Sequence, residues 1–140
     1  MSINEIQNQI IEEFSVFTEW DEKYEYLIDI GKKLPALDSN LKTNENLIEG
    51  CQSRVWLNAE LRDEKIFFAA DSEAIITKGL IALLIKVLSN QTPQEIMNCE
   101  IFFIDKIGLS QNLSPTRANG LRAMLKQMKL YAMAFFPKKN

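Results

Sequence analysis

The spacing of apolar residues changes period twice along this chain, which confines the fold to a mixture of helix and antiparallel strand. From the start the spacing is helical. Ile3, Ile6, Ile10 and Phe14 fall three or four apart, with polar residues such as Asn8 and Glu12 between them. A second helix is predicted from Thr18-Glu19-Trp20-Asp21, which has the form of a capping box opened by Thr18. Trp20, Tyr24, Leu27 and Ile28 make its apolar stripe, and Gly31 and Pro35 bound its end. Residues 36–50 carry no sustained period beyond a possible short strand at Leu47-Ile48. Then the period becomes two: Val55, Leu57, Ala59 and Leu61 alternate with Arg54, Trp56, Asn58 and Glu60. Arg62-Asp63-Glu64 supplies a turn, Lys65 to Ala70 reads as a second strand, and the two make an antiparallel hairpin.

Helical spacing returns after Asp71-Ser72, either of which can cap the amides that follow. Ile76, Leu80, Leu83, Leu84, Val87 and Leu88 make this the most apolar helix and the expected centre of the core. Thr92-Pro93-Gln94-Glu95 is another capping box, with proline at the first helical position. Ile101, Ile104, Ile107 and Leu109 predict a short helix ended at Gly108. Ser114-Pro115 opens the last helix, with Ala118, Leu121, Met124, Leu125, Met128 and Tyr131 on its apolar side. Gly79 and Gly120 fall inside helical patterns, where close packing is the expected reason for them. No repeat or linker interrupts this order, so residues 1–140 are read as one α+β domain, a small antiparallel sheet packed against several α-helices.

A chain of 140 residues with 46% hydrophobic content can close a core without a disulfide or metal staple. Its net charge of -3, with basic residues scattered in short pairs such as Lys32-Lys33 and Lys138-Lys139, argues against nucleic acid as a partner. The most apolar run, Leu80 to Leu88, is broken by Lys86 and falls far short of a membrane span. Met1-Ser2-Ile3-Asn4-Glu5 lacks the basic and apolar regions of a secretory signal, so the expected address is the cytoplasm.

Two residue types bound the chemistry. There is no histidine, and the only cysteines are Cys51 and Cys99. A catalytic triad, a Cys-His dyad and a histidine metal site are therefore out of reach. The two cysteines also lack the spacing of a CxxC motif, so a reacting thiol here reacts alone. Cys51 follows Gly50, whose backbone freedom lets the chain turn and present the next side chain. Spacing alone leaves two readings open for Cys51, a nucleophile or an inert buried thiol, with Arg54 the one weak candidate to lower its pKa. Cys99, in Met97-Asn98-Cys99-Glu100, reads as packing.

Residues 50–56, Gly-Cys-Gln-Ser-Arg-Val-Trp, resemble the signature of the SufE family of sulfur acceptors. The similarity continues through Asp71-Ser72-Glu73-Ala74, Lys78-Gly79-Leu80-Ile81, and Leu88 with Thr92 to Ile96. It extends to Leu113-Ser114-Pro115-Thr116-Arg117-Ala118-Asn119-Gly120-Leu121 and to Ala123-Met124, spanning roughly residues 10–132. The resemblance implies a SufE/IscU-like fold and no bound cofactor. It also implies a SufS-type, pyridoxal-phosphate-dependent cysteine desulfurase as partner, which the chain stimulates by taking its persulfide sulfur onto Cys51. The sulfur then passes to the Fe–S scaffold machinery. A homodimer stays open.

Gly50, Gln52, Asp71 and Arg117 are expected to support Cys51. Asp71 serves as a cap at the hairpin-to-helix junction, and Arg117 as a cation in a first helical turn, where the helix dipole disfavours it. Trp56 is assigned either to the thiol pocket or to the core. The Cys51 loop, Asp71 and Arg117 are expected to share one docking face. Three other classes compete: an iron–sulfur scaffold, which needs three or four ligands; a thiol hydrolase, which needs an adjacent base; and a regulatory module that binds the desulfurase with Cys51 incidental.

Overall fold

In the computed structural model, which describes residues 1–136, the elements follow the order predicted from periodicity. They are α1 (Ile3–Ser15), α2 (Trp20–Lys32), 3-10 turns at Ser39–Leu41 and Asn44–Asn46, β1 (Val55–Arg62) and β2 (Lys65–Ser72). The helices α3 (Ile75–Leu88), α4 (Pro93–Asn98), α5 (Phe103–Lys106), α6 (Leu109–Asn112) and α7 (Pro115–Phe135) complete the chain. The α+β class is therefore observed. The Lys138-Lys139 pair lies outside the described residues.

The core forms around α3, whose Leu80, Ile81, Leu83, Leu84, Val87 and Leu88 are all buried. Burial of each such side chain contributes about 1.5–3 kcal/mol of transfer free energy, so this helix anchors the domain. The hairpin lays Val55, Leu57, Ile66, Phe68 and Ala70 against it, with Leu57 opposite Ala70 and Ala59 opposite Phe68. Asp63 and Glu64 form the two-residue loop at φ 51° and 68°, the left-handed pair of angles that matches the twist of the flanking strands. The short strand expected at Leu47-Ile48 is a single antiparallel bridge between Leu47 and Trp56, supported by Ile48 N–H donating to the Val55 carbonyl at 2.9 Å.

Local capping decides most helix starts, and three expectations need correction. Thr92 and Glu95 make the expected box, and Ser114 Oγ accepts from Arg117 N–H at 3.3 Å with Pro115 at the first position of α7. On α2, however, the cap is Glu19, which exchanges bonds with Glu22, and not Thr18. Gly31 does not end α2. It lies buried within the helix, where a Cβ would come 2.8 Å from the Gly79 nitrogen, and the C-cap is Lys33. The helix runs through Gly31 because α2 and α3 touch backbone to backbone there. Neither Asp71 nor Ser72 is the N-cap of α3. Strand pairing holds both residues in β2, and the N-cap is Ala74, whose N–H donates to Ser72 Oγ at 3.3 Å. The helix expected to end at Gly108 does so as α5, and Gly108, at a left-handed φ of 86°, is the N-cap of α6, which begins at Leu109.

One polar core residue had no signal in the sequence. Gln7, fully buried on α1, accepts at Oε1 from the N–H groups of Phe102 (2.8 Å) and Phe103 (3.1 Å) and donates Nε2 to the Glu100 carbonyl at 3.0 Å. The amide side chain thus satisfies the start of α5, which has no side-chain cap of its own.

Candidate functional site

Cys51 lies where the aperiodic segment turns over α7. Gly50 adopts φ 92°, a conformation that side-chain-bearing residues avoid, and a Cβ there would meet the Ala123 Cβ at 3.2 Å. That turn sets the Cys51 thiol, half-buried, against α7, where it donates to the Gly120 carbonyl oxygen at 3.7 Å. Gly120 has room for a Cβ only 3.6 Å from Sγ, so the residue forms the seat of the thiol.

A depression of about 390 Å³ opens beside the sulfur. Gln52 and Ser53 of the loop, Thr77 of α3, and Ser114, Arg117 and Met124 at or on α7 line it with Cys51. On the other side of Gly50 a second hollow is lined by Glu49, Ala123 and Lys126, so the loop crosses α7 between two open spaces. The expected gathering of Cys51, Gln52 and Arg117 is thus found. Arg117 is exposed, and among the described residues no carboxylate pairs with its guanidinium.

Two expected members stand elsewhere. Asp71 does not line this depression. Its carboxylate turns instead to Lys42 Nζ at 2.8 Å, Lys78 Nζ at 3.3 Å and the Ser72 N–H at 2.8 Å. Burial pulls the Asp71 pKa up, but the bonds to Lys42, the Ser72 amide and Lys78 outweigh it and hold the group below the usual carboxylate range. Trp56 is also outside the depression. Of its two readings the core one holds: it is buried, bridged by Leu47 and capped by Lys42 Nζ at 5.5 Å from its ring centroid. Lys42 was missed in the sequence because it belongs to a segment without any period.

Burial pushes the Cys51 thiol above its ordinary value, and donation to a carbonyl favours the same neutral form. The free protein therefore holds a quiet thiol. Alkylation of Cys51 by iodoacetamide, followed by mass spectrometry, should accelerate with pH and show a midpoint above the ordinary thiol value of about 8.5. A midpoint below that value would mean the isolated chain already activates its thiol. Cys99, the C-cap of α4, donates to the Ile96 carbonyl at 3.1 Å and lines a separate hollow with Ser2, Asn4 and Glu95. Burial raises its pKa as well, with Lys129 pulling the other way. Among the described residues no group of three or more cysteine, aspartate and glutamate side chains is placed to hold a metal ion, and no helix is long and apolar enough to cross a membrane.

Known proteins resemble this chain over most of its length. The model of the SufE family, described as an Fe–S metabolism associated domain, matches residues 8–132. An uncharacterized SufE-like protein of Rhizobium meliloti is 37% identical over 135 residues, covering 93% of this chain and 96% of its own. SufE-like protein 1 of Arabidopsis thaliana, named as chloroplastic/mitochondrial, is 44% identical over 126 residues, covering 89% of this chain but 34% of that longer protein. The solution structure of a hypothetical protein from Thermus thermophilus superposes with a TM-score of 0.78 at 18% identity, covering 95% of this chain and 97% of that one, which shows a shared fold.

Proposed function

The chain belongs to the SufE family, whose domain is associated with Fe–S metabolism, and from that premise we propose that it carries sulfur as a persulfide on Cys51. The observation that carries this reading is the seat of Cys51: a lone thiol on a glycine turn, held half-buried beside an open depression. In the proposed step the Cys51 thiolate attacks the terminal sulfur of a persulfide on a cysteine desulfurase of the SufS type. A new S–S bond forms at Cys51, the donor's S–S bond breaks, and the donor cysteine leaves as a thiolate. The proton lost by Cys51 passes to water or to the donor site, because this chain has no histidine to take it. Removing the enzyme's persulfide frees it for another turnover, which is the proposed stimulation, and the sulfur passes on to Fe–S cluster assembly.

Cys99 lines a different hollow from Cys51, an arrangement that suits a carrier. A second thiol beside the persulfide would resolve it to a disulfide and release sulfide. A scaffold, by contrast, gathers three or four ligands at one place. The compartment proposed is the cytoplasm, where thiols stay reduced. The test is incubation with a SufS-type desulfurase and cysteine, then mass spectrometry of the intact chain. One added sulfur atom, removed by a reductant, is the expected result. No added mass, with the desulfurase still stimulated, would favour the regulatory module with Cys51 incidental.

Arg117 is proposed to meet the desulfurase at the rim of the depression, since it is exposed, lines the same hollow as the thiol and has no carboxylate partner among the described residues. Arg117→Ala should raise the half-maximal concentration for stimulation by about tenfold, the loss expected for a contact at an interface hot spot. Thermal melting should be unchanged, because a cation in a first helical turn contributes nothing favourable to the helix dipole. Unaltered titration would make Arg117 a plain surface residue.

A further inference from the structure

The segment from Leu37 to Arg54 brings Cys51 to α7 with no regular structure beyond two 3-10 turns. Leu37 and Ile48 of this segment are buried, Leu47 bridges Trp56, and the Arg54 carbonyl at its end accepts from Ser72 Oγ at 2.9 Å and the Glu73 N–H at 3.2 Å. Lys42 of this segment pairs with the hairpin's second strand, Lys42 Nζ to Asp71 Oδ2 at 2.8 Å, while its ammonium also lies over the Trp56 ring. Trp56 and Asp71 are register partners across the hairpin, so a single lysine clasps both strands at once. Asp71 is in turn fixed from α3 by Lys78 and by its own neighbour's amide. Its side chain is only 15% exposed, against 36% for Lys42, so the carboxylate is largely shielded from the solvent screening that weakens surface pairs.

We propose that Lys42 is a positioning residue, an electrostatic clasp through Asp71 and Trp56 that holds the Cys51 segment closed on α7 and so sets how often the thiol is exposed. Opening of this segment then requires the clasp to break. The inference rests on the reading above only in treating Cys51 as the working thiol. Its test needs no desulfurase, so failure of sulfur loading and failure of the clasp are separate results.

Cys99 provides an internal reference. It is likewise half-buried with a raised pKa, but it lies at the end of α4, apart from this segment. Iodoacetamide labelling of the full chain at fixed pH, resolved by peptide mass spectrometry, gives the Cys51 and Cys99 rates in the same molecule. Lys42→Met removes the charge and keeps an unbranched, apolar side chain. It should raise the Cys51 rate about fivefold, the factor expected for an ion pair at the stronger end of the exposed range, and leave the Cys99 rate unchanged. Asp71→Asn should do the same. Lys42→Arg, which can still bond the carboxylate and cover the ring, should restore the native ratio. If both cysteines quicken in parallel, the substitution acts by loosening the whole domain, and the proposal is overturned. An unchanged Cys51 rate overturns it equally.

Discussion

Cys51→Ser should abolish sulfur loading and desulfurase stimulation together, while Cys99→Ser should retain both. The serine hydroxyl matches the thiol in shape and can still donate to the Gly120 carbonyl, so the loop should stay folded over α7. What it cannot do is attack a persulfide sulfur, since a serine alkoxide is inaccessible without an adjacent base and this chain has no histidine. The expected effect is the complete loss of the added sulfur mass, with an unchanged melting temperature as the control. Cys99 makes its contacts at the end of α4 and belongs to a different hollow. Its replacement should cost little beyond the weak bond to Ile96 and leave loading at the native level. Equal loading of the two variants would sink the carrier reading. Loading lost only in Cys99→Ser would move the site.

The second large effect separates two glycines that a sequence treats alike. Gly79→Ala should destabilise the domain, and Gly120→Ala should stabilise it slightly. At Gly79 a Cβ would overlap the Leu27 carbonyl oxygen and come 2.8 Å from Leu27 Cγ. The obstacle is the backbone of α2, which cannot rotate aside. Facing it, a Cβ on Gly31 would come 2.8 Å from the Gly79 nitrogen, so the helices have no slack on either side. Overpacking of this kind costs about 1–3 kcal/mol, sometimes more, and must also exceed the roughly 1 kcal/mol that alanine gains over glycine within a helix. A net loss of about 2 kcal/mol is expected, lowering the melting temperature by about 6–10 °C for a domain of this size. At Gly120 the nearest atom to a new Cβ is Cys51 Sγ at 3.6 Å, an ordinary contact. There the helical preference is unopposed, and a rise of about 2–4 °C is expected. Calorimetry on both variants checks the pair. A rise for Gly79→Ala would mean that the close approach of α2 to α3 is not as tight as these distances require, and a fall for Gly120→Ala would mean that the seat of the thiol has no room for a Cβ.

Much of the fold was legible in the sequence because its signals are local. The period change at Val55 located the hairpin, and Thr92 with Glu95 and Ser114 with Pro115 started α4 and α7 where capping chemistry predicts. Where the reading missed, a distant contact had overruled the local pattern. Gly31 looked like a helix stop but is the point where α2 meets Gly79. Asp71 looked like a cap but is kept in β2 by pairing with Trp56 and by two lysines. For Trp56, which the sequence left between thiol pocket and core, residues 42 and 47 of an aperiodic segment decide the matter by folding over it.

The same division holds at the site. The sequence by itself determined that the chain has no histidine, no metal-ligand spacing and no CxxC pair, and that a glycine stands before Cys51. These are properties of composition and of adjacent residues. Only the tertiary structure decided that the thiol rests on the Gly120 carbonyl, that Arg117 stands beside it and Asp71 does not, and that Lys42 ties its segment to the hairpin. Each of those contacts joins residues far apart in the chain. Their geometry follows from how α3, α7 and the hairpin pack around one core, and no local pattern of residues encodes it.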